Sequence, residues 1–415
     1  MLEPVHSGPL RKVAVLFDNF GPYHIARLNA AGRVCELLAV ESAGSSGEYA
    51  WEKTDSERSF QTATLFPDSA SRTVSLDAFS AELQRTLNAF KPEVLFVPGW
   101  SGRAAFIAVQ WAVNRGVPIV VMSESNGHDE VRSAWREQIK QWYLRLSSAG
   151  LAGGSPQACY LAELGVSRDR IFLGYDAVDN GYFANGAEAA RENAIQLRSK
   201  LRLPENYFLA SARFIPKKNL TRLIEAYAGY RERVSQSAPG NIGRLWDLVL
   251  LGDGELRESI VTQIKNSDLT DHVHLPGFVQ YPDLPTYYGL AGAFIHASTM
   301  EQWGLVVNEA MASGLPVLVS SRCGCAEDLV EEGVNGWTFD PTDVATLTQN
   351  LMQLASLPLG EREQVGRASQ EIISRWGPER FASGLLQAAE CALQQPCRKA
   401  GFATRLFLRL LTRLA

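Results

Sequence analysis

The sequence predicts an α/β protein built as two Rossmann-like, doubly wound domains facing a central cleft. Three observations predict it. The chain has 415 residues, more than one ordinary hydrophobic core accommodates. Short apolar strands alternate with helical patterns over two separate stretches, as in parallel sheets covered on both faces. Between them, Asp179 to Pro204 is charged, rich in Ala and Asn and without strand character, which makes it an interdomain linker.

In the amino half, Lys12 to Phe17 reads as a buried strand, followed by the turn cluster Asp18-Asn19-Phe20-Gly21-Pro22 and a helix marked by Ile25, Leu28 and Ala31. Val34 to Val40 is the next strand. Residues 41–75, rich in Ser, Gly and charge, read as loop with a short strand near Thr64. Leu76 to Phe90 and Arg103 to Arg115 are helical, and Pro92 to Val97 and Ile119 to Met122 are strands. In the carboxyl half, strands are expected at Tyr207–Ser211, Trp246–Leu251, Val273–Leu275, Gly292–His296 and Pro316–Ser320, with a helix over Leu220–Arg233. The domains are expected at 1–180 and 205–375, joined by a linker at 181–204. A helix at about 376–395 completes the first domain, and 396–415 form a basic amphipathic tail.

An apolar fraction of 46% and a charged fraction of 20% are those of a soluble globular protein. The net charge of −5 gives no reason to expect nucleic acid as a partner. Met1 to Lys12 has no apolar core of a secretory signal, and no uncharged apolar stretch is long enough to span a bilayer. The six cysteines lack metal-like spacing, and their number fits reduced thiols in a cytoplasmic protein.

The most informative stretch is A-S-T-M-E-Q-W-G-L-V-V-N-E, Ala297 to Glu309. If one helix runs through it, Glu301 and Glu309 lie near one face. If Glu301 precedes the helix, it flanks a helix N-terminus where Gln302, Trp303, Gly304 and Leu305 offer unpaired backbone N–H groups, an anion site. A carboxylate for sugar hydroxyls, amides for a phosphate and a carboxylate for a ribose would together make a nucleotide-sugar site. A solvated, charged helix start accounts for the two carboxylates equally well on spacing alone.

Several ordered segments resemble a GT-B glycosyltransferase of the retaining family 4, of the exopolysaccharide or glycolipid type. S-A-R-F-I-P-K-K-N (Ser211–Asn219) resembles its Arg-x4-Lys phosphate motif. V-L-L-G-D-G (Val249–Gly254) matches its strand and turn, and V-H-L-P-G-F-V (Val273–Val279) the loop beside the base. Glu301 and Glu309 match E-x7-E, and Pro316 to Asn335 the closing strand and Gly-x-Asn-Gly turn. Val178-Asp179-Asn180 with Phe183 resembles a turn of exopolysaccharide-type members. The resemblance is strong over residues 200–345 and weaker before them.

The resemblance implies transfer of a sugar from a nucleotide-diphosphate sugar to a saccharide or lipid-linked acceptor, with retention and without metal or other cofactor. It implies that Arg213 and Lys218 stabilise the departing diphosphate, whereas Lys217 is a solvated base. Gly277 and Phe278 would present backbone to the base, Glu309 would hold the ribose and Glu301 the sugar. Trp303 either narrows the sugar pocket or packs beneath the loop. No carboxylate identifies itself as a nucleophile, which favours front-face transfer.

The amino half departs from the family pattern. Gly21 stands where many members have two glycines; it permits close approach of a diphosphate, while Pro22 removes a donor. His24 either faces the cleft or is a structural hydrogen bonder. Where members place a His, this chain reads S-E-S-N-G-H-D-E (Ser123–Glu130), with Glu124 or Ser125 at the aligned position and His128 a few residues late. Glu124 either meets a donor or acceptor hydroxyl, acts as a base, or caps the next helix. No catalytic histidine is carried over.

Arg132, Arg136 and Lys140 recur every fourth residue beside Trp135, Ile139, Trp142, Tyr143 and Leu146, a basic amphipathic helix. It is either a packed helix with a solvated face or a site for an anionic acceptor or membrane. Phe402 to Ala415 sets Arg405, Arg409 and Arg413 among leucines without an acid. It is either a peripheral helix on an anionic inner membrane face or a helix docked on the first domain. The competing class is a catalytically inactive GT-B-like protein that binds nucleotide or glycan; intact Arg213, Lys218, Glu301 and Glu309 speak against it. A dehydrogenase is excluded because Asp18 to His24 lacks G-x-G-x-x-G.

Overall fold

The computed structural model describes residues 11–43, 57–67, 74–130, 132–237, 245–395 and 401–414. Most of the opening segment expected to lack a secretory signal, parts of the loop expected at 41–75, and residues 396–400 and 415 of the tail lie outside them. The described residues divide into two units. The first runs to Gly127, resumes after residue 131 through Ala177, and takes in Pro378 onward. The second comprises His128–Glu130 and Val178–Gly377.

The first unit contains β1 (Lys12–Phe17), α1 (Pro22–Gly32), β2 (Glu36–Ala43), β3 (Gln61–Phe66), α2 (Leu76–Phe90), β4 (Val94–Pro98) and α3 (Arg103–Arg115). It continues with β5 (Ile119–Ser123), α4 (Ala134–Leu144), β6 (Ala149–Ala152), α5 (Ser155–Glu163) and β7 (Ile171–Leu173). Its seven parallel strands run in the order β3-β2-β1-β4-β5-β6-β7. The central strands are apolar on both faces because helices cover both, so they read as runs rather than alternations.

The second unit begins with α6 (Asn180–Glu192), α7 (Ala194–Leu201), β8 (Tyr207–Ser211), α8 (Leu220–Ser237), β9 (Asp247–Leu251), α9 (Arg257–Asn266), β10 (Val273–Gly277) and α10 (Leu284–Leu290). It ends with β11 (Ala293–His296), α11 (Leu305–Ala312), β12 (Val317–Ser320), α12 (Ala326–Leu329), β13 (Gly336–Phe339), α13 (Val344–Ser356) and α14 (Leu359–Ile373). Its six parallel strands are ordered β10-β9-β8-β11-β12-β13.

Two helices then return to the first unit, α15 (Pro378–Gln394) and α16 (Phe402–Leu414). Phe381, Leu385, Ala388, Ala389 and Ala392 of α15 are buried in the core with β1, β4 and β6. Gly384 lets it lie on β7, since a Cβ there would stand 2.2 Å from the Leu173 carbonyl.

The stretch expected to be a linker is instead helical. Asp179 caps α6 by accepting from the Tyr182 amide at 2.9 Å, and Phe183, Ala187 and Ala190 form a buried stripe. Gly186 abuts Pro285 and Gly289 abuts the Ala187 carbonyl, so α6 and α10 meet almost backbone to backbone. Small residues make that packing possible, and they hid the helix among charged neighbours.

The basic face expected on α4 is also changed. Lys140 is buried, donating to Glu137 at 2.9 Å and to the Tyr160 hydroxyl at 3.0 Å. Arg132 donates to the same hydroxyl at 2.7 Å and to the Asn126 carbonyl. Two of the three bases are absorbed by the unit's own polar network, leaving Arg136 exposed over Trp135.

Candidate active site

In open α/β sheets, ligands bind outside the carboxyl ends of strands where the strand order reverses. In the second sheet that point lies between β8 and β11. The loop leaving β8 carries Arg213, Lys217 and Lys218, and the loop leaving β11 carries Glu301. The Gly252-Asp253-Gly254 turn clamps the Arg213 segment: the Phe214 amide donates to the Asp253 carbonyl at 2.8 Å. Gly252 has φ +125°, and a Cβ there would meet the Ala212 carbonyl at 1.9 Å, so only glycine fits. Arg213 is partly buried. Asn219, in the left-handed region at φ 58°, is buried and donates to the Ala297 carbonyl at 3.1 Å and the Pro341 carbonyl at 2.8 Å. It ties the Lys218 loop to the ends of two other strands.

Glu301 precedes the helix, so the reading with one helix through both carboxylates does not hold. It pairs with Cys323 as a short parallel bridge, and the Gly324 amide donates to its carbonyl at 3.2 Å. Lys218 forms an ion pair with its carboxylate. His296 lies 3.3 Å from the same oxygen and the Ser298 hydroxyl donates to it at 3.3 Å. Burial raises the Glu301 pKa, but the His296 hydrogen bond and the Lys218 charge outweigh it and hold the carboxyl well below its usual range. Burial and then Lys218 push His296 down against the pull of Glu301, so it is neutral at pH 7. The sequence reading missed His296, Ser298 and Asn219.

Gly304, at φ +106°, starts α11, and Gly304, Leu305 and Val306 are partly exposed there. First-turn N–H groups of such a helix lack intrahelical partners and favour an anion. Gln302 is exposed and donates to Asp129 at 3.1 Å. Trp303 takes the packing alternative: its indole is buried, donates to Asn308 at 2.9 Å and lies against Trp376. Glu309 is 0% exposed and accepts from the Tyr288 hydroxyl at 2.6 Å. The Tyr288 hydroxyl holds the carboxylate inside the unit. Tyr288 carried no sequence signal. Gly277 has φ +92° with open space beyond it, and Phe278 is exposed.

In the first unit, the Gly21 amide donates to His24 Nδ1 at 3.1 Å, closing the first turn of α1. His24 is thus the structural hydrogen bonder of the two alternatives. Burial and then Arg27 hold it well below its usual pKa, so it is neutral. Glu124 is partly exposed just beyond β5, Ser125 donates its amide to Ser123 Oγ at 3.2 Å, and His128 lies in the following turn.

Comparison with known proteins adds to this geometry. Residues 193–372 match the family model described as glycosyl transferases group 1. The match is confined to this segment, less than half of the chain. It holds Arg213, Lys218, Glu301 and Glu309. The amylovoran biosynthesis glycosyltransferase AmsK of Erwinia amylovora is 31% identical over 176 residues, 41% of this chain and 40% of that protein. The alpha-monoglucosyldiacylglycerol synthase of Acholeplasma laidlawii is 27% identical over 169 residues, 40% of this chain and 39% of that one. A probable sucrose-phosphate synthase 5 of Oryza sativa is 33% identical over 153 residues, with 35% of this chain and 15% of that protein covered. The chain thus spans less than half the length of each of these relatives. Among solved structures, Anabaena Alr3699/HepE in complex with UDP and glucose superposes with TM-score 0.68 at 17% identity, over 91% of this chain and 98% of that one. A glycosyltransferase from Rickettsia africae gives TM-score 0.70 at 12% identity, over 93% and 99%. The fold is GT-B.

Proposed function

We propose that this protein transfers a sugar from a nucleoside-diphosphate sugar to a hydroxyl of a saccharide or lipid-linked acceptor, with retention at the anomeric carbon as in family 4. The observation that carries this reading is the Lys218–Glu301 ion pair beside the N-terminus of α11. Lys218, Arg213 and the amides of Gly304 and Leu305 take the diphosphate and stabilise the charge that develops as the glycosidic bond breaks. Glu301, kept ionised by its neighbours, accepts hydrogen bonds from the donor sugar. Gly277 and Phe278 flank the base. Glu309 braces Tyr288 and α11 beneath the nucleotide. No carboxylate stands as a nucleophile in this reading, and the proton of the acceptor hydroxyl goes to the departing diphosphate on the same face. The named activities of the Erwinia and Acholeplasma relatives support a glycan or glycolipid product.

Weak contact with an anionic membrane belongs to the same proposal. On α16, Phe402 is 85%, Leu406 48% and Leu410 52% exposed, interleaved with exposed Arg405, Arg409 and Arg413. Exposed Trp142 touches Phe407 and continues the patch onto α4. Exposed leucine and aromatic side chains among arginines suit the headgroup region of an anionic bilayer. Among the described residues no helix is long and apolar enough to cross a membrane.

The deciding experiment is calorimetric titration with UDP, GDP and ADP in EDTA, for the wild type and Glu301→Gln. Selective binding of one nucleoside diphosphate, with turnover of its sugar lost in Glu301→Gln, is the expected result. Absence of binding by all three overturns the transferase reading.

A further inference from the structure

Two carboxyl groups meet at the carboxyl edge of the seven-stranded sheet, and the donor chemistry above uses neither. Glu124 leaves β5 and Asp176 follows β7, with β6 between those strands. Asp176 is 1% exposed, and neither of its oxygens receives an N–H or hydroxyl hydrogen bond. Its side chain stands instead in hydrogen-bonding contact with Glu124. Two ionised carboxylates offer only acceptors, so such a contact is favourable only when one of the two carries a proton.

The surroundings fit a pair with a single negative charge. Buried Arg27 of α1 donates to the Tyr23 carbonyl at 3.3 Å and to the Tyr175 carbonyl, and its guanidinium lies over the rings of Phe17, Tyr175 and Phe381. It acts on Asp176 through charge alone. Tyr175 is buried beside them, where the charges of Glu124, Asp176, Asp18 and Arg27 all act on it. Burial, and then the Glu124 charge, push Asp176 well above the usual carboxylate range, with Arg27 working against them. A sealed carboxyl without a donor is costly where an apolar side chain would fill the space. Only Glu124 of the two has appreciable exposure, so the pair presents one oriented carboxylate outward. A negative group repels a diphosphate and accepts hydrogen bonds from neutral hydroxyls.

We propose that Glu124 and Asp176 form a proton-sharing carboxyl pair that binds a hydroxyl of the sugar acceptor, Glu124 touching the hydroxyl and Asp176 positioning Glu124. The acceptor assignment rests on the transferase reading; the shared proton does not.

Two arms test it separately. The first is thermal unfolding of wild type and Asp176→Asn between pH 4 and 8. Unfolded Asp loses its proton near about 3.9, whereas folded Asp176 keeps its own to higher pH. Wild-type stability therefore falls as pH rises through that window, and the asparagine variant escapes this loss. A gap that widens with pH in favour of Asp176→Asn is expected; parallel curves overturn the shared proton.

The second arm uses UDP-glucose as donor and methyl glycosides as acceptors. Glu124→Gln is expected to lower kcat/KM for the acceptor by about 10- to 100-fold, the loss of one charged hydrogen bond. Asp176→Ala should do the same. Asp176→Asn, whose amide still donates to Glu124, should retain most activity and lose the alkaline limb of the pH profile. UDP affinity by calorimetry should stay within about twofold in each variant. Changed UDP affinity with an unchanged acceptor KM overturns the acceptor assignment. A wild type that binds none of UDP, GDP and ADP overturns it too, while the pH arm still decides the pair.

Discussion

Lys218 and Glu301 neutralise one another, and His296 beside them is uncharged. A diphosphate engaging Lys218 therefore competes with Glu301 for the ammonium group. Lys218→Ala should lower turnover by about 2–4 kcal/mol of transition-state stabilisation, read as kcat with the donor found by calorimetry; near-normal kcat removes Lys218 from the role. Glu309 behaves differently. Glu309→Ala removes the carboxylate that accepts from the Tyr288 hydroxyl inside the unit and should cost about 1–3 kcal/mol of stability, seen as a lower denaturant midpoint. Glu309→Gln, which still accepts from Tyr288, should retain most of it. Arg213, Lys218, Glu301 and Glu309 were legible in the sequence because they recur at motif spacing. Asn219, His296, Ser298, Tyr288 and Asp176 were not. Each is a lone polar residue in an apolar or turn context, and only the fold supplies the partner that gives it meaning.

Among elements, strands were easiest to read because two-sided burial makes them continuous apolar runs, as in V-L-F-V-P of β4. Helices α2 and α3 were bounded correctly by their amphipathic patterns. Helices α6 and α7 were not, since α6 buries two alanines beside one phenylalanine, a stripe that periodicity scarcely registers. On α4, charges counted without their partners did not reveal that Lys140 is buried on Glu137 and Tyr160. Short α11 depends on its start: Gly304→Ala would hold a side chain at φ +106° and should cost about 1–3 kcal/mol. Thermal unfolding measures that, and an unchanged midpoint would mean that the turn relaxes. On α16 the two alternatives for the tail prove compatible. Leu408 is 0% exposed in the core beside α3, while the opposite face is open. Deleting the helix would uncover the core, so the membrane contact is better tested with Leu406→Ser/Leu410→Ser. This variant should sediment less with phosphatidylglycerol vesicles and bind UDP as the wild type does. Undiminished sedimentation would sink the membrane contact.

At the scale of the molecule, each unit carries its own sheet and core. The group 1 match covers most of the second unit, which explains why that half was read with more certainty than the first. The first is assembled from both ends of the chain. A chain stopped at residue 377 lacks α15 and α16 and leaves apolar faces of the first sheet and α3 uncovered. It should accumulate as insoluble protein, checked by comparing soluble yield with the full chain; equal yield would mean that α15 is dispensable.

The return of α15 also sets an order of events at the ribosome. Residues 178–377 leave the exit tunnel as an uninterrupted set and can close their sheet as they emerge. The first sheet, although made earlier, must wait for Pro378–Gln394 before Phe381 and Leu385 reach their seats. The half made first is finished last, and during that interval its apolar face is open to chaperones and to neighbouring nascent chains.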